Sequence, residues 1–534
     1  MEEIEQIPVI DIFAGPGGLG EGFSSFRTRD GYQPFRISLS VEKDPRAHET
    51  LKLRSFLRQF PVGAAPEEYY QVLRGELKLE DLPERLQNKP NVLAAWKTAE
   101  KEAVCAELGA SEESHKLIGS AIQKSVKNRK QPWVLIGGPP CQAYSIAGRA
   151  RNKGIADYRI EDDHRSSLYQ EYLRIIAEHW PSVFVMENVK GLLSATVNNQ
   201  KIFEKIITDL ESPLEASGEK RRVNSSQRYR IVPLVKPRNS LVDGAWQPGD
   251  FLVASEHHGI PQIRHRVFLI GIREDLGDVE LPFLTPSKAP SVAEIVGGLP
   301  PLRSGLSRKR VGSRYINLKD SPELWRQTLI EQTVRSTPED ERRWLKSVSN
   351  GTIPSIRDEI LSIVSNLDSS PEDRGSEFVS WKTESSLPSR LRDWYLDLRL
   401  GGVCNHSTRG HMDTDLARYL FATCYAKVNG VSPKLSQFPA DLQPNHKNAS
   451  SGDFDDRFRV QIAGKPSSTI SGVSGLGPGF FLPLFFDFPP SSSSGAEKKN
   501  VEIPPTGSVA LPRAISTSSL TLFLTNSISL CRDL

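Results

Sequence analysis

The positions of apolar residues along the chain predict buried strands that alternate with amphipathic helices. Residues 7–13 are apolar and rich in β-branched side chains, and they end at a cluster of glycines, as a buried parallel strand does before a turn. Similar runs recur at residues 36–41, 133–136, 182–186, 250–255 and 266–272. Residues 167–179 place Leu168, Tyr172, Ile175 and Ile176 on one helical face. This alternation predicts an α/β fold with an open, mostly parallel sheet.

The character of the chain changes twice, and these changes predict its domains. Residues 1–284 are expected to form one α/β domain, interrupted by a helical insertion at about residues 66–130. Prolines, polar helical segments and a basic stretch then predict a smaller domain of mixed structure at residues 285–460. Residues 461–534 become rich in glycine, serine, proline and phenylalanine without a sustained period, which predicts a poorly ordered tail.

Composition narrows the class of protein without deciding its function. Hydrophobic residues make up 38% and charged residues 25% of the chain, as in soluble globular enzymes. The 68 basic and 65 acidic residues leave a net charge of +3, so any surface for nucleic acid has to be local. Five cysteines without CxxC or zinc spacing indicate a reducing compartment and no metal site. The acidic N-terminus and the lack of a long apolar run predict a cytoplasmic protein without membrane contact.

A glycine-rich segment, Asp11-Ile-Phe-Ala-Gly-Pro-Gly-Gly-Leu-Gly20, lies where the first strand turns into a helix. Glycines there let the backbone approach a ligand, and the helix N-terminus favours negative charge. An unliganded turn and a nicotinamide dehydrogenase are the alternatives, although Asp11 and Pro16 fit the dehydrogenase fingerprint poorly. Glu42 ends the next strand, where a nucleoside ribose would be held by its hydroxyls, and it could equally be an ordinary exposed glutamate.

A cysteine follows the third apolar run, in Gly137-Gly-Pro-Pro-Cys141-Gln142. A lone intracellular cysteine is usually a small buried hydrophobe, but one displayed on a proline-stiffened loop at a strand end suits a nucleophile. Glu187 ends another strand, and Arg264 and Arg266 precede the last one. Each has a plain alternative, a helix cap for the glutamate and a solvated surface pair for the arginines. Their coincidence at several strand ends favours a single site.

In this order, the motifs DIFAGPGG, Glu42, GGPPCQ, ENV and GIPQIRHR resemble those of the DNA (cytosine-5) methyltransferase family. The resemblance covers about the first 273 residues. It implies a Rossmann-like, S-adenosylmethionine-dependent methyltransferase domain with a mostly parallel sheet, followed by a smaller mixed target-recognition domain. It also implies double-stranded DNA as the partner of a nucleoid-associated monomer. The enzyme would serve either as a solitary methylase or beside a cognate restriction endonuclease that acts separately.

The resemblance assigns roles to residues. The catalytic set would be Cys141, attacking carbon 6 of a flipped cytosine, with Glu187, Arg264 and Arg266. Cofactor contacts would come from Phe13, Ala14, Gly15, Pro16, Gly17, Gly18, Glu42, Pro140 and Leu168. DNA contacts would come from Gln142, Ser145, Arg149, Arg165 and Gln262, with residues 143–157 as a closing lid. The second domain would read the target sequence, through basic segments such as residues 303–310 and 405–411.

The chain departs from the family at two places. The acid expected to contact adenine after the third strand cannot be placed, because the helical insertion occupies that region. The family's closing helix and its GNxVxP motif do not occur in residues 471–534. We hypothesise that a frameshift or similar lesion replaced this end, and we expect weak cofactor binding and impaired activity. A catalytically impaired DNA-binding remnant and a tRNA cytosine-5 methyltransferase therefore remain as alternatives, although the large second domain favours DNA.

Overall fold

The computed structural model describes residues 5–28, 30–126, 131–140, 164–197, 200–217, 227–236, 246–277, 282–311, 314–334, 342–348, 354–381, 387–444 and 458–468. The strands are β1 Ile7–Ile12, β2 Phe35–Glu42, β3 Ala103–Cys105, β4 Val134–Gly137, β5 Val183–Val189, β6 Thr196–Val197, β7 Gln200–Lys201, β8 Tyr229–Val232, β9 Leu252–Ala254, β10 Gln262–Ile263, β11 His265–Arg273, β12 Gly305–Val311, β13 Arg314–Asn317, β14 Phe378–Ser380, β15 Gly402–Cys404, β16 Gly410–Met412 and β17 Ser467–Ser468. The helices are α1 Gly18–Ser25, α2 Pro45–Arg58, α3 Glu67–Leu73, α4 Leu82–Arg85, α5 Pro90–Glu102, α6 Glu112–Ser125, α7 His164–His179, α8 Ile202–Glu211, α9 Pro213–Ala216, α10 Val292–Val296, α11 Pro322–Thr333, α12 Arg343–Val348, α13 Pro354–Ser365, α14 Ser389–Tyr395 and α15 Asp413–Asn429.

The main sheet has the strand order β3-β2-β1-β4-β5-β11-β8, and β9 pairs with β11. The five strands from β3 to β5 are parallel to one another, whereas β11 is antiparallel to β5, β8 and β9. The mostly parallel α/β sheet predicted from the sequence is therefore confirmed. From β1 to β3 successive strands are added towards one edge of the sheet, and from β4 onwards they are added towards the other edge. The sheet therefore has a topological switch point between β1 and β4.

Both faces of the sheet are covered, which explains why its central strands β1, β4 and β5 are apolar at most positions. One face carries Ile10, Leu135 and Met186 against α6, α7 and α8. The other carries Val9, Ile136 and Val185 with Phe23 of α1. In β1 and β4, successive residues alternate between these two cores, as the two-residue period of a strand requires.

Two predictions about this domain need correction. The segment at about residues 66–130 is not wholly helical, because β3 lies within it and pairs in parallel with β2, from Ser40 opposite Ala103 to Glu42 opposite Cys105. Residues 250–255 do not form one strand either. A 3₁₀ turn, Pro248–Phe251, occupies the start, and only Leu252–Ala254 is extended. Proline at the first position of that turn and a reciprocal cap between Gln247 and Asp250 favour the turn.

A second core lies in the C-terminal half of the described chain. The three-stranded sheet β13-β12-β16 packs with α11, α12, α13 and α15 around Trp325, Trp344 and Phe421. Residues 461–468 then return to the first domain, where β17 pairs with β10, and they also contact α10, where the amide of Val292 donates to the carbonyl of Lys465. The first part of the segment predicted as a disordered tail is thus packed against the sheet domain, and residues 469–534 lie outside the described residues. Among the described helices, none has the length and apolar character needed to span a bilayer.

Candidate active site

The loop after β1 has a strained backbone that brings it against the end of β2. Phe13 has a positive φ of 56°, which is a costly conformation for a bulky side chain and is concentrated at functional sites. The amide of Ala14 donates to the carbonyl of Val41 at 3.1 Å. Gly15 and Gly17 also have positive φ values, and a Cβ on Gly17 would lie 2.8 Å from Leu51. Beside Gly15, by contrast, a Cβ would meet nothing within 4 Å, so the loop leaves open space there.

Glu42 fixes this loop from the neighbouring strand. Its Oε2 accepts a hydrogen bond from the amide of Gly15 at 2.7 Å, and its Oε1 accepts one from the amide of Asp44 at 2.8 Å. Each carboxylate oxygen has a second lone pair, so the carboxylate can still accept hydrogen bonds from a ligand. The same Asp44 caps α2 through the amides of Arg46 and Ala47. The predicted site residues Gly15 and Glu42 are therefore in direct contact.

The structure places an acid that the sequence reasoning missed. Glu107 follows β3 by two residues, at the same edge of the sheet as Glu42, and it forms an ion pair with Lys43 at 3.0 Å. Its side chain is part-exposed, and the next residue, Leu108, is buried in the core. The signal that could have located it is the short run Ala103-Val104-Cys105, which is easily taken as the end of the preceding helix. Glu107 thus occupies the position after the third strand where an acid was expected but could not be assigned.

Asp11, at the end of β1, is buried beneath the loop with only 1% of its surface exposed. Its Oδ2 lies 3.1 Å from the position that a Cβ on Gly20 would take, so α1 packs directly on the carboxyl group. Burial raises the pKa of Asp11 to about 8, against the opposing effects of Arg58 and of the Gly20 amide. Arg58 is itself paired with Glu21 of α1 and Glu102 of α5. The glycine loop therefore lies above a largely buried cluster of ionisable groups.

The segment leading to the cysteine approaches Glu187. A Cβ on Gly137 would lie 2.5 Å from the carbonyl oxygen of Ile12, so only glycine allows β4 to run this close to β1. A Cβ on Gly138 would lie 3.1 Å from Oε2 of Glu187. Asn188 donates from its Nδ2 to the carbonyl of Pro139 at 3.4 Å, which ties the proline loop to the end of β5. The described backbone ends at Pro140, which is half-buried, directly before Cys141.

Glu187 is paired with one of the two predicted arginines. The Nε of Arg266 lies 2.8 Å from Oε1 of Glu187, and both side chains are largely buried, at 15% and 13% exposed. The register of the antiparallel pair β5–β11 places Arg266 opposite Val189, next to Glu187. Arg264 is different, because it precedes β11 and is buried at 7% exposed. Its backbone is held by the hydroxyl of Ser255, which bonds its amide and carbonyl, so the two arginines are not equivalent.

The remaining predicted residues divide between described and undescribed parts of the chain. In the loop, the buried residues are Ala14, Gly17 and Gly18, and Pro16 is half-buried. Leu168 is buried in α7. Gln262 lies in β10, and its buried Oε1 has no hydrogen-bond partner among the described residues. Cys141, Gln142, Ser145, Arg149 and the lid at 143–157 lie outside the described residues, as does the side chain of Arg165 in α7. Contacts nevertheless connect the described set, from Glu42 through Gly15 and β1 to Gly138, Glu187 and Arg266.

The fold is that of an open α/β protein, and in sheets of this kind ligands bind at the switch point, which here lies between β1 and β4. A model of the family described as C-5 cytosine-specific DNA methylase matches residues 110–213. Type II methyltransferase M.Bpa9945I of Bacillus paralicheniformis is 30% identical over 281 residues, which are 50% of this chain and 54% of that protein. Type II methyltransferase M.BspRI of Lysinibacillus sphaericus is 25% identical over 282 residues, 53% of this chain and 48% of that protein.

Residues 110–213 match the C-5 cytosine-specific DNA methylase family, and the two relatives are methyltransferases, so the family resemblance of the motifs is confirmed. It spans about half the length of the relatives it matches. The solved structure of the Entamoeba histolytica methyltransferase EhMeth aligns with 54% of this chain and 58% of that one, at 15% identity and a TM-score of 0.29.

Proposed function

We propose that this protein transfers a methyl group from S-adenosylmethionine to carbon 5 of cytosine in a specific duplex DNA sequence. The observation that carries the proposal is the buried pair of Glu187 and Arg266, packed against Gly138 three residues before Cys141. Similarity to the C-5 cytosine-specific DNA methylase family suggests the reaction, and this pair supplies groups suited to it.

Cys141 is the proposed nucleophile. Its thiolate would add to carbon 6 of the ring, after which carbon 5 takes the methyl group; loss of the carbon 5 proton then expels the thiolate and restores the ring. Glu187 would keep ring nitrogen 3 of the cytosine protonated while the thiolate adds. Arg266 would hold Glu187 in place, and its positive charge would stabilise negative charge that develops on the ring. We assign Arg264 a positioning role, because it is buried beside the Ser255 turn. The cytosine has to leave the helix to meet these groups, since a stacked base cannot reach a closed pocket.

The residues at the β1–β2 edge fit the cofactor. The open space beside Gly15, the strained Phe13 and the carboxylates of Glu42 and Glu107 would accommodate a nucleoside with ribose hydroxyls and a purine amine. S-adenosylmethionine bound there would supply the methyl group from its sulfonium. Glu42 would then share its oxygens between the loop amides and the ligand, so that cofactor binding and the shape of the loop depend on one carboxylate.

We further propose that the protein acts on DNA as a monomer in the cytoplasm, where its substrate is. The relatives named above are type II methyltransferases, which fits a role beside a separate restriction endonuclease.

The test is methyl transfer by the full chain from labelled S-adenosylmethionine to duplex DNA and, in parallel, to tRNA. We expect label in 5-methylcytosine of DNA, at a rate lowered by the missing closing motifs, and none with Cys141→Ser. Glu187→Gln should lose at least about a further hundredfold, since positioned acid–base groups contribute that much. Duplexes carrying 5-fluorocytosine should trap the wild type covalently. Label in tRNA alone would assign the other substrate, and DNA binding without label or trapping would assign a non-catalytic remnant. Either result refutes the proposal.

A further inference from the structure

The second domain carries a two-stranded projection, which we call the hairpin arm: β12 and β13 together. At its base, Gly305, Leu306 and Arg308 pair with β16, but from Lys309 to Val311 β12 pairs with β13 alone among the described strands. Every residue of β13 is exposed. The apolar side chains of Val311, Tyr315 and Ile316 are about half exposed, at 51%, 51% and 52%. Among the described residues, the far part of the arm therefore packs little against the rest of the protein.

The charge of the arm is one-sided, although that of the chain is balanced. Between residues 302 and 319 the sequence has six cations and no acid: Arg303, Arg308, Lys309, Arg310, Arg314 and Lys319. The whole chain has 68 basic and 65 acidic residues, so this excess is local. Lys309 forms a long ion pair with Glu331 of α11, with 3.8 Å between its Nζ and the Oε2 of the glutamate. A projecting ribbon of this composition complements a polyanion.

The base of the arm is rigid. Arg303, the first cation of the segment, does not face solvent: its two terminal nitrogens each lie 3.0 Å from an oxygen of Asp320. Asp320 also accepts the amide of Leu306 at 2.8 Å. Trp325 donates from its indole to the hydroxyl of Ser304 at 3.0 Å. The basic segment predicted from the sequence thus divides into a buried anchor and an exposed ribbon.

Side chains on the ribbon are sorted by face. Arg308 is paired with Asn317, and the guanidinium of Arg308 lies 4.7 Å from the ring centre of Tyr315, so these three side chains share one face. Lys309 and Ile316 are paired on the other face. Guanidinium and carboxamide groups are those that make paired hydrogen bonds to guanine and adenine edges, and stacking on a tyrosine holds the planar guanidinium in place.

We infer that the hairpin arm enters the major groove of duplex DNA and that Arg308 and Asn317 read base edges there. The inference rests on the proposed function. Strands in a ribbon are about 4.8 Å apart, and the major groove of B-form DNA, about 12 Å wide, admits a two-stranded ribbon with its side chains. The A-form groove of duplex RNA is too narrow for the arm.

The other predicted reading segment, residues 405–411, does not compete for this role. His406 bonds the carbonyl of Pro300 at 2.8 Å, and Thr408 donates to the carbonyl of Arg303 at 2.6 Å. His411 packs on Tyr419, and burial lowers the pKa of its imidazole. These side chains support the base of the arm from within the domain.

The experiment is selection from a duplex DNA library with a randomised core, using the full chain, followed by affinity measurements at several salt concentrations. We expect the wild type to select a defined motif. Arg308→Lys keeps the charge but loses the planar fork, so it should retain the salt dependence and lower the preference for one base at one position by roughly tenfold. Asn317→Ala should relax a neighbouring position. Lys116→Ala, which removes an exposed charge from α6, is the control and should keep the motif.

Four outcomes would overturn the inference: no motif for the wild type, an unchanged motif and affinity in the Arg308 and Asn317 variants, equal weakening on every sequence, or the same change in the control. Because the side chains of Arg308 and Asn317 are exposed, their variants should keep the wild-type melting temperature. Arg308→Lys also tests base reading without removing a positive charge. The selection needs no turnover. A wild type that selects a motif but does not methylate therefore refutes the proposed function alone, and unchanged variants of an active enzyme refute this inference alone.

Discussion

Replacing Asp11 by asparagine should change how the stability of the sheet domain depends on pH. Asp11 is buried at the end of β1, under the packed backbone of Gly20, and burial raises its pKa to about 8 despite the opposing charge of Arg58. An aspartate in an unfolded chain has a pKa of about 3.9. Between these two values the folded protein holds a proton that the unfolded chain has released. Asparagine has nearly the same shape and cannot titrate.

The sign and size follow from proton linkage. The folded pKa lies above the unfolded one, so the contribution of Asp11 is fully present below about pH 4 and is lost as the pH rises towards about 8. Over that window the free energy of unfolding falls by about 1.4 kcal/mol per pH unit, or on the order of 5 kcal/mol in all. Asp11→Asn removes this dependence. The free energy of unfolding of the variant, relative to that of the wild type, should therefore rise by about 1.4 kcal/mol per pH unit across the window.

Hydrogen-exchange mass spectrometry of peptides that contain β1, at several values between pH 5 and pH 8, measures the opening free energy of the sheet itself. The difference between Asp11→Asn and the wild type should widen with pH. Glu80→Gln, at a side chain that is 73% exposed, is the control and should track the wild type. Parallel profiles for Asp11→Asn and the wild type would show that Asp11 is ionised in the folded protein, and would refute the reasoning.

Three further changes test other parts of the structure. Glu107→Gln should weaken S-adenosylmethionine binding, measured by calorimetry, by about tenfold or more, because a hydrogen bond to a charged group is lost. Glu80→Gln should leave the affinity unchanged, and equal affinities for Glu107→Gln and the wild type would show that Glu107 does not contact the cofactor. Arg303→Ala should lower the free energy of urea unfolding of the second domain by about 3 kcal/mol, because Asp320 loses both short contacts and keeps only Arg374, at 3.3 Å, as a cationic partner; a loss below about 1 kcal/mol would mean that the anchor is solvated. Arg399→Ala should raise hydrogen exchange in peptides covering residues 63–74 and 397–404, and unchanged exchange there would show that the contact between the two domains does not depend on Arg399.

The strands of the central sheet could be predicted because their apolar pattern does not depend on distant partners. The runs at residues 7–13, 133–136 and 182–186 are continuous and β-branched, and they appear as β1, β4 and β5 with small shifts at their ends. The third strand could not be predicted in this way. It has three residues and follows α5 without a break, and it is extended because Val41 and Glu42 offer it a parallel edge. Pairing of this kind is decided in three dimensions.

The sequence predicted which chemical groups form the candidate site, but it did not predict which of them are in contact. Glycines, acids and arginines at strand ends indicate a ligand crevice, but the sequence could not distinguish Arg266, which pairs with Glu187, from Arg264, which is buried beside Ser255. The same holds for Arg303, whose partner Asp320 lies seventeen residues further along the chain. A basic run is expected to face solvent, and only the position of the matching acid shows which member is buried.

The helical segment between β2 and β3 is more than an interruption of the sheet domain, because it packs against both halves of the molecule. Arg58 joins Glu21 of α1, the helix that begins at the glycine loop, to Glu102 of α5. On its far side, Tyr70 donates to Asp397 at 2.8 Å, and Arg399 donates to the carbonyls of Gly63 and Ala65. Leu400 packs into the same apolar cluster as Tyr70, Phe56 and Trp96. A single packed unit therefore supports the proposed cofactor loop and contacts the second domain, so the helices that link the sheet edge to the domain proposed to read DNA are ones that the family motifs do not include.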